Sequence, residues 1–472
     1  MIPIHKQGAL YHGAALALLV ALSTGCAVGP NYRRPSVSVP ETYRSTPTET
    51  TAADQNLSLG DQKWQVVFQD EQLQALIQTA LQQNYNVRIA ATRILQAEAA
   101  LGITRAGQLP TLDGGAGVNS QRFARSRFDT FESTLSSASV ALNWELDFWG
   151  KFRRGTEAAR AALLATEWGR QAVVSTLVAD LAGSYFRLRE MDLELQISQR
   201  TLSSRQDSLK LIEELANQGL SNMLDVRQAE QLVFTAAARI PAMERQIEQE
   251  ENFISTLAGS NPASVPRGRP LSEQPHAPVV PAGLPSSLLE RRPDIRQAEQ
   301  QLIAFNAQIG VAKAAYFPRI SLTGTSGFQS SALSSLFSGP AGFWNLISGL
   351  TQPIFSGGRI RSGVQFAEAQ QQEALLAYQQ TIQQAFREVS DALVAYRKNQ
   401  EFRRQQEQLV HSAQDASQLS DTRYRAGLTS YLEVLTNETN YFSAELGLAQ
   451  AQGDELQALV EVFRALGGGW EN

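Results

Sequence analysis

The sequence of this chain repeats itself after 208 residues. The segment at residues 84–110 recurs at residues 292–318, and the same offset pairs Gly102 with Gly310. The repeating unit is about 200 residues long, far longer than the repeats of roughly 20–50 residues that build solenoids. We therefore expect each copy to fold into the same series of elements, so that the chain acts with internal pseudo-symmetry.

The composition argues against several function classes. With 43% hydrophobic and 18% charged residues the chain can bury a large core, and 46 acidic against 41 basic residues leave no general basic surface for nucleic acid. Four histidines and one cysteine supply neither a Cys/His metal cluster nor an intrachain disulfide. No nucleophile and base are arranged as in an active site. The sequence thus predicts a protein that is not an enzyme and binds no metal or cofactor, apart from a covalent lipid.

The N-terminal residues are typical of an exported lipoprotein. Lys6 precedes an apolar run at residues 14–22, and small residues lead from it to Cys26. The run is too short for a membrane-spanning helix, so residues 1–25 are predicted to be a signal peptide. Cys26 resembles the lipid attachment site of bacterial lipoproteins, and Ala27 after it points to the outer membrane. The alternative is an ordinary cleaved signal followed by a coincidental cysteine.

Two very long helices are predicted at residues 153–216 and 361–426, where proline is absent and Ala, Leu, Gln and Glu dominate. At about 1.5 Å per residue each would run roughly 90–100 Å. Gly219 and Gly427 follow these helices and are predicted to form hairpin tips, because glycine permits a sharp turn. Pro241 is predicted to kink the helix that returns from the first tip.

The returning helices carry an apolar residue at every seventh position, which is typical of a coiled-coil seam. In the first copy the seam comprises Val226, Val233, Ile240, Ile247 and Ile254, accompanied by Ala229, Ala236, Met243 and Leu257. In the second copy it comprises Val434, Tyr441, Leu448 and Val462, with Glu455 as the exception.

Each copy also contains a pair of predicted β-strands. At residues 140–148 apolar residues alternate strictly with others that include Glu145 and Asp147, which indicates a strand with one apolar and one polar face. Weaker alternation at residues 320–328 and 343–355 predicts the pair in the second copy. The chain is therefore expected to contribute four strands.

Four strands are too few to close a membrane β-barrel, which needs about eight or more. Open strand edges are not viable in lipid. If the strand pairs lie in a membrane, several chains must share one barrel, and the long helices must continue from its base as a shared tube. The alternative is a periplasmic helical lipoprotein whose strand pairs pack against its own helices.

Several motifs together resemble one family, the outer membrane factors, which are TolC-like channels, and within it the OprM/NodT lipoprotein branch. Besides the duplication, they are Cys26-Ala-Val-Gly-Pro-Asn-Tyr-Arg-Arg-Pro35, Leu289-Glu-Arg-Arg-Pro-Asp-Ile-Arg296, Ala315-Tyr-Phe-Pro-Arg319, Pro353-Ile-Phe-Ser-Gly-Gly358 and Tyr424-Arg-Ala-Gly-Leu428. The resemblance covers essentially the whole mature chain.

The resemblance implies a mainly α-helical homotrimer with a shared 12-stranded β-barrel in the outer membrane and a barrel of helical hairpins in the periplasm. Glu145 and Asp147 would line its interior. It also implies the exit duct of a tripartite efflux system, passively conducting small molecules such as drugs or other toxic compounds. The partners would be a periplasmic adaptor protein, an inner-membrane transporter of the RND type and outer-membrane lipid. The alternative function is a structural envelope lipoprotein or adhesin without channel activity. The transported substrates cannot be read from the sequence.

The predicted domain organisation follows the duplication and the proline-rich segments. It comprises a signal peptide at 1–25, a lipidated tether at 26–69, a first repeat at 70–258, a linker at 259–285, a second repeat at 286–467 and a tail at 468–472.

The resemblance also implies a gate at the hairpin tips. In similar family members, acidic and apolar rings constrict the closed channel at the periplasmic mouth. Asp225, Leu432 and Glu433 are the matching candidates here, and a tyrosine in the place of Tyr424 helps to tie the helices.

Two departures weaken this transfer. Thr429 stands where some members have an arginine that locks the closed state, and Thr436 stands where an aspartate commonly joins the ring. The structural alternative is helix capping, since the spacings of Asn222 to Asp225 and of Ser430 to Glu433 resemble capping boxes.

Overall fold

A computed structural model describes residues 27–43, 58–126, 129–275 and 280–470. The predicted signal peptide, Cys26 and residues 471–472 lie outside these ranges. The helices are α1 (Trp64–Val67), α2 (Glu71–Gln83), α3 (Tyr85–Ala106), α4 (Lys151–Asn217), α5 (Met223–Ala258), α6 (Pro285–Arg291), α7 (Pro293–Ala314), α8 (Arg359–Arg425) and α9 (Tyr431–Ala465). The strands are β1 (Thr111–Ser126), β2 (Asp129–Leu146), β3 (Arg319–Ser330) and β4 (Gly342–Thr351).

The second copy repeats the elements of the first, as the duplication predicts. Helices α3 and α7 each contain 22 residues, and α4 and α8 each contain 67. The members of each pair begin 208 residues apart. The bounds of the two long helices agree with the predicted ones to within two residues.

The four strands form one antiparallel sheet in the order β1-β2-β3-β4, so β1 and β4 are its edges. Residues opposite one another in this register share a face of the sheet. One face carries the apolar residues Leu112, Val118, Val140, Leu142, Trp144, Leu146, Ile320, Leu322, Trp344, Leu346 and Leu350. The other face is mainly polar and carries Asp113, Asn143, Glu145, Ser321, Thr323, Thr325 and Asn345. The predicted two-faced strands are confirmed.

The strand ends differ from the prediction. β2 ends at Leu146 and β4 at Thr351, two and four residues earlier than predicted. The reason in β2 is Asp147, whose carboxylate accepts hydrogen bonds from the backbone N–H groups of Phe152 (3.1 Å) and Arg153 (2.9 Å). A carboxylate is stabilised there because the first N–H groups of a helix have no intrahelical partner. Asp147 therefore caps α4 and does not continue the strand.

The helical residues before the sheet are divided at Asn84 into α2 and α3. The side-chain oxygen of Asn84 accepts from the N–H groups of Asn86 (2.8 Å) and Val87 (3.2 Å), and its amide donates to the Leu257 carbonyl (2.9 Å). Asparagine competes for backbone groups in this way and so starts a new helix. The break was not predicted.

The seam of the first returning helix is confirmed for the most part. Within α5, Val226, Val233, Ile247 and Ile254 are buried, together with Ala229, Ala236 and Met243, whereas Ile240 and Leu257 are half-buried. The helix continues through Pro241. In α9 the exceptional Glu455 is 1% exposed and forms an ion pair with Arg403 of α8. The charge in the seam is thus matched by a partner.

The chain divides into two compact units, and each draws on both copies. Of the described residues, the first comprises 27–36, 93–126, 129–166 and 297–378, and it holds the sheet. In it the buried Arg154 donates to the Val28 carbonyl (3.2 Å) and to the Asn31 side chain (2.7 Å). The extended residues after position 26 are therefore held against the start of α4.

Gly29 and Gly310 allow this N-terminal segment to approach α7. Gly29 has φ +98°, and a Cβ atom on it would lie 2.5 Å from the Gly310 Cα. Gly102, the counterpart of Gly310 in the first copy, has open space around it. Gly102 and Gly310 occupy the same position of the repeat, but only at Gly310 does close packing leave no room for a side chain.

Of the described residues, the second unit comprises 37–43, 58–92, 167–275, 280–296 and 379–470. Asp70 caps α2 in this unit and also accepts hydrogen bonds from Tyr185 (3.1 Å), the Arg269 N–H (2.9 Å) and Gln274 (2.8 Å). Burial alone would raise the pKa of Asp70, but these hydrogen bonds and those of the helix cap together hold it below its usual value. The proline-rich linker is thereby fastened to α2 and α4.

Candidate functional site at the hairpin tips

Both hairpins turn with the same backbone geometry. Gly219 and Gly427 each have φ +72°, a conformation that side chains other than glycine rarely adopt. After Gly219, the Leu220 N–H donates to the Leu215 carbonyl (2.8 Å), and after Gly427, the Leu428 N–H donates to the Arg423 carbonyl (2.9 Å). These are Schellman-type helix ends, in which such bonds satisfy the last carbonyls of a helix. The predicted tips are confirmed.

An apolar cluster joins the two hairpins just behind their tips. Tyr431, Val434 and Leu435 of α9 are buried against side chains of the first hairpin. The first hairpin contributes the buried residues Ile212, Val226 and Ala229 and the partly buried Leu209, Leu215, Ala216 and Leu232. Burial of apolar surface therefore holds the two hairpins of one chain together at this end.

A polar network crosses between the hairpins beside this cluster. The Ser221 hydroxyl donates to Asp225 Oδ2 (2.9 Å), and Ser221 and Tyr424 are hydrogen-bonded through their side chains. The centres of the Tyr424 and Tyr431 rings lie 5.3 Å apart. Burial raises the pKa of Tyr424, and the nearby Asp225 carboxylate adds to the shift. Two of the four predicted gate residues, Asp225 and Tyr424, are thus brought together.

Glu433 belongs to a separate group on the second hairpin. Its carboxylate accepts a hydrogen bond from the Thr429 hydroxyl and lies 3.3 Å from Arg423 Nε. Thr429 thereby makes a contact of its own with one of the predicted gate residues. Arg423 brings a positive charge to Glu433 from the end of α8. Leu432 is 58% exposed within this chain.

The two expected capping boxes have different outcomes. Asn222 caps α5, since its side chain accepts from the Asp225 N–H (3.0 Å). Ser430 makes no side-chain cap at the start of α9, so that prediction was wrong. The Glu433 carboxylate is held instead by Thr429 and Arg423.

Sequence reasoning missed Ser221 and Arg423 as members of these networks. Ser221 precedes the helix cap and gave no separate signal. Arg423 lies ten residues before Glu433 along the chain, and only the turn at Gly427 brings the two together. The sequence offered one signal for these networks, the four-residue spacing of Thr429 and Glu433, which form a hydrogen bond in the structure.

Two observations concern other kinds of site. Among the residues that the structure describes, no helix combines the length and the low charge of a membrane-spanning helix. No group of three or more His, Cys, Asp and Glu side chains comes together there in a way that would hold a metal ion.

Comparison with known proteins agrees with the duplicated architecture. The profile of the family described as "Outer membrane efflux protein" matches residues 76–260 and 284–468, two segments that are again offset by 208 residues. The chain is 37% identical over 451 residues to the solvent efflux pump outer membrane protein SrpC of Pseudomonas putida, covering 94% of this chain and 96% of that one. It is 36% identical over 460 residues to the cation efflux system protein CusC of Escherichia coli, covering 97% and 98%.

Solved structures show the same fold. The outer-membrane channel OprN superposes with a TM-score of 0.88 at 31% identity, covering 94% of this chain and all of that one. The open state of the MtrE outer membrane channel of Neisseria gonorrhoeae superposes with a TM-score of 0.85, also at 31% identity, covering 94% and 99%.

The chain belongs to the outer membrane efflux protein family. It is an efflux channel of the outer membrane, which confirms the predicted family, function class and location. Long helical hairpins combined with a four-stranded antiparallel sheet confirm the predicted fold class.

Proposed function

We propose that this chain assembles as a homotrimer that forms the exit duct of a tripartite efflux system. The observation that carries the proposal is the four-stranded sheet, which has β1 and β4 at its edges and carries most of its large apolar side chains on one face. In lipid such edges must be paired. Three sheets joined edge to edge give a 12-stranded barrel, within the range of closed membrane barrels.

The apolar face of the sheet suits contact with lipid. Leu112, Trp344, Leu346 and Leu350 are each more than 60% exposed in the single chain. An exposed apolar surface of this extent marks contact with a membrane or another protein. The opposite face, with Asn143 and Glu145, suits a water-filled interior.

The duct works with a periplasmic adaptor and an inner-membrane transporter of the RND type, and it conducts small molecules passively. The named relatives are outer-membrane components of efflux systems, one for solvents and one for cations, which supports a pump with further components. The chain itself performs no catalysis and uses no cofactor. Energy enters through the inner-membrane partner, and this chain supplies a path and a gate.

Cys26 carries the lipid. Its neighbours in the structure support this position: the Val28 N–H donates to the Trp149 carbonyl (3.0 Å), and a Cβ atom on Gly150 would lie 2.7 Å from the Ala27 Cα. The chain thus emerges next to the junction of β2 and α4, where acyl chains on Cys26 reach the same membrane as the sheet. Intact-mass measurement tests this, because a mature chain that begins without the acyl increment would contradict it.

The hairpin tips form the gate. Three copies of Asp225 and Glu433 gather carboxylates at the periplasmic mouth, and Leu432, which is exposed in one chain, packs against its symmetry copies when the mouth is closed. A ring of carboxylates favours cations.

Single-channel recording in planar bilayers tests both the duct and the gate. Wild-type protein should insert and conduct. A protein without conductance would contradict the duct and favour the alternative function, a structural envelope lipoprotein or adhesin. Leu432→Ala should raise leak conductance, while Leu409→Ala, an equally simple change at an exposed leucine of α8, should not. Equal leak conductance in both variants would show that Leu432 does not help to close the gate.

A further inference from the structure

A polar cavity of about 200 Å³ lies between α4, α8 and α9, outside the tip networks. Arg205 of α4 and Glu438 of α9 line it from different helices. The rest of its wall is formed by Thr201, Ser204, Ser417, Tyr441 and Phe442. At its rim Arg200 and Glu445 form an ion pair with each other. The charges of the rim are thus already matched, whereas Arg205 and Glu438 face the cavity.

Arg205 is unusually well buried for a charged residue, since it is only 4% exposed. Its Nη1 donates to the Leu232 carbonyl (2.9 Å), and the guanidinium carbon lies 5.0 Å from the centre of the Phe442 ring. Within the described part of the chain its Nε is buried without a hydrogen-bond acceptor. A guanidinium has five N–H donors, so most of the hydrogen-bonding capacity of Arg205 is unused.

Glu438 supplies the opposite charge. No nitrogen of a Lys or Arg side chain in the described residues lies within ion-pair distance of its carboxylate. Burial raises the pKa of Glu438, while Arg205 acts against that shift and Asp421 adds to it. The guanidinium and the carboxylate therefore influence each other across the cavity without touching. Arg205 is buried and Glu438 is half-buried, and charged groups removed from water to this degree normally have a partner that satisfies them.

We propose that the cavity binds a small zwitterion of the amino-acid class, with its carboxylate at Arg205 and its ammonium group at Glu438. A simple anion would be repelled by Glu438, and a simple cation by Arg205. The hydroxyls of Thr201 and Ser417 offer further hydrogen bonds. A volume of about 200 Å³ accommodates a small amino acid or several waters, since one water occupies about 30 Å³ in the liquid.

Such a ligand would bridge α4 to α9, because each of its charged groups would be held by a different helix. A ligand that binds only the folded arrangement stabilises it. The ligand is therefore expected to raise the thermal stability of the protein, and the effect should depend on both of its charges.

The test uses the purified full-length protein and L-alanine as the probe, with acetate and methylammonium as probes that carry one charge each. Saturation-transfer NMR should detect L-alanine at millimolar concentration, and melting temperatures should rise with L-alanine alone. Arg205→Gln and Glu438→Gln should each weaken binding about tenfold or more, the usual effect of losing a hydrogen bond to a charged group. Arg245→Gln and Glu248→Gln, at exposed positions of α5, should bind as the wild type does.

Because Arg205 is buried, Arg205→Gln also changes the packing around it, and Ser417→Leu provides a second route. This change fills the cavity and keeps both charges, so it should abolish binding while the protein remains folded. The proposal is overturned if L-alanine does not bind, if acetate or methylammonium binds equally well, or if binding survives both Glu438→Gln and Ser417→Leu. In those cases the cavity holds water only.

Discussion

Ser221 lies where the two hairpins of one chain meet. Its hydroxyl donates to Asp225 of its own hairpin, and it is hydrogen-bonded with Tyr424 of the other. The apolar cluster behind it contributes more burial, but apolar contacts have little directional preference. Hydrogen bonds depend on distance and angle, so the network around Ser221 defines one arrangement of the tips.

The first prediction concerns Tyr424→Phe. This change removes the hydrogen bond with Ser221 and keeps the ring next to Tyr431, so the closed arrangement should lose about 1 kcal/mol. In single-channel recordings the open fraction should rise about fivefold at neutral pH. Tyr85→Phe, at an exposed position, should leave it unchanged. An open fraction that is the same in Tyr424→Phe and wild type would show that the hydrogen bond does not contribute to closure.

The second prediction separates the charge of Glu433 from its structural contacts. Glu433→Gln removes a carboxylate from the mouth and should lower the preference for cations. Arg423→Gln removes the guanidinium that lies 3.3 Å from Glu433 and should raise it, because the carboxylate is then unopposed. Reversal potentials in a salt gradient measure both. Shifts of the same sign in the two variants would contradict a direct electrostatic role.

The third prediction concerns Glu190 of α4. Burial, followed by the carboxylates of Asp454 and Glu194, raises its pKa from an ordinary 4.5 to about 8, while Arg187 acts in the opposite direction. As the pH rises from about 4.5 to about 8, the unfolded chain loses this proton before the folded one does. The contribution of Glu190 to stability therefore falls across that range.

Glu190→Gln should accordingly raise the melting temperature at pH 8 relative to the wild type and have little effect near pH 5. The gain at high pH should be about 1–2 kcal/mol, reduced by solvent screening of this partly exposed group. Glu248→Gln, at an exposed position of α5, serves as the control. Equal gains for Glu190→Gln at both pH values would point to packing as the cause.

At the scale of elements, each hairpin is a long helix, a turn of fixed geometry and a returning helix with an apolar seam. The turn conformation is the same in both copies, with φ +72° at each glycine. No atom lies within 4 Å of a Cβ placed on Gly219 or Gly427. Glycine is thus needed for the backbone conformation and not for space.

The fourth prediction follows from this distinction. Gly219→Ala should destabilise the tip by about 1–2 kcal/mol, because a Cβ is strained in the left-handed region. Gly363→Ala, in the second turn of α8 with equally open surroundings, should stabilise the protein by about 0.5–1 kcal/mol. Hydrogen exchange at the tips and the melting temperature measure the two effects. A stabilising Gly219→Ala would mean that the tip adopts another turn.

Much of this element structure could be predicted from the sequence, because it depends on patterns that extend over many residues. Duplication, the absence of proline and the seven-residue spacing gave the long helices and their seams. What could not be predicted depended on single side chains that compete for backbone N–H groups. Asn84 divides a helix and Asp147 ends a strand, whereas Ser430 does not cap the helix that it precedes. At the tips the residues near the glycines could be selected, but the partnership of Arg423 with Glu433 requires the folded turn.

At the scale of the whole molecule, the sheet determines what the chain needs from its copies. Its two edges and its apolar face are incomplete in one chain, whereas the helical hairpins already pack against each other within it. Cross-linking in membranes should therefore give species of up to three chains and none larger. A folded monomer that shows no association in detergent would contradict the proposed trimer.

The fifth prediction compares two adjacent residues of β2 that lie on opposite faces. Leu142→Asp places a charge on the apolar face and should destabilise the assembled barrel by up to about 2 kcal/mol, since acidic residues in lipid cost less than basic ones. Asn143→Asp places the same charge on the polar face and should have little effect. Heat resistance of the trimer on gels reports both. Equal losses in the two variants would contradict the assignment of one face to lipid and the other to water.

The equal lengths of α4 and α8, 67 residues each, restrict how such a chain can change during evolution. One inserted residue lengthens a helix by about 1.5 Å and rotates everything after it by about 100°. An insertion in one copy alone would move its tip away from the cluster that both hairpins share and turn its seam outward. Insertions and deletions in these helices should therefore be tolerated chiefly when both copies acquire them together, so that the two halves of one gene must change length in concert.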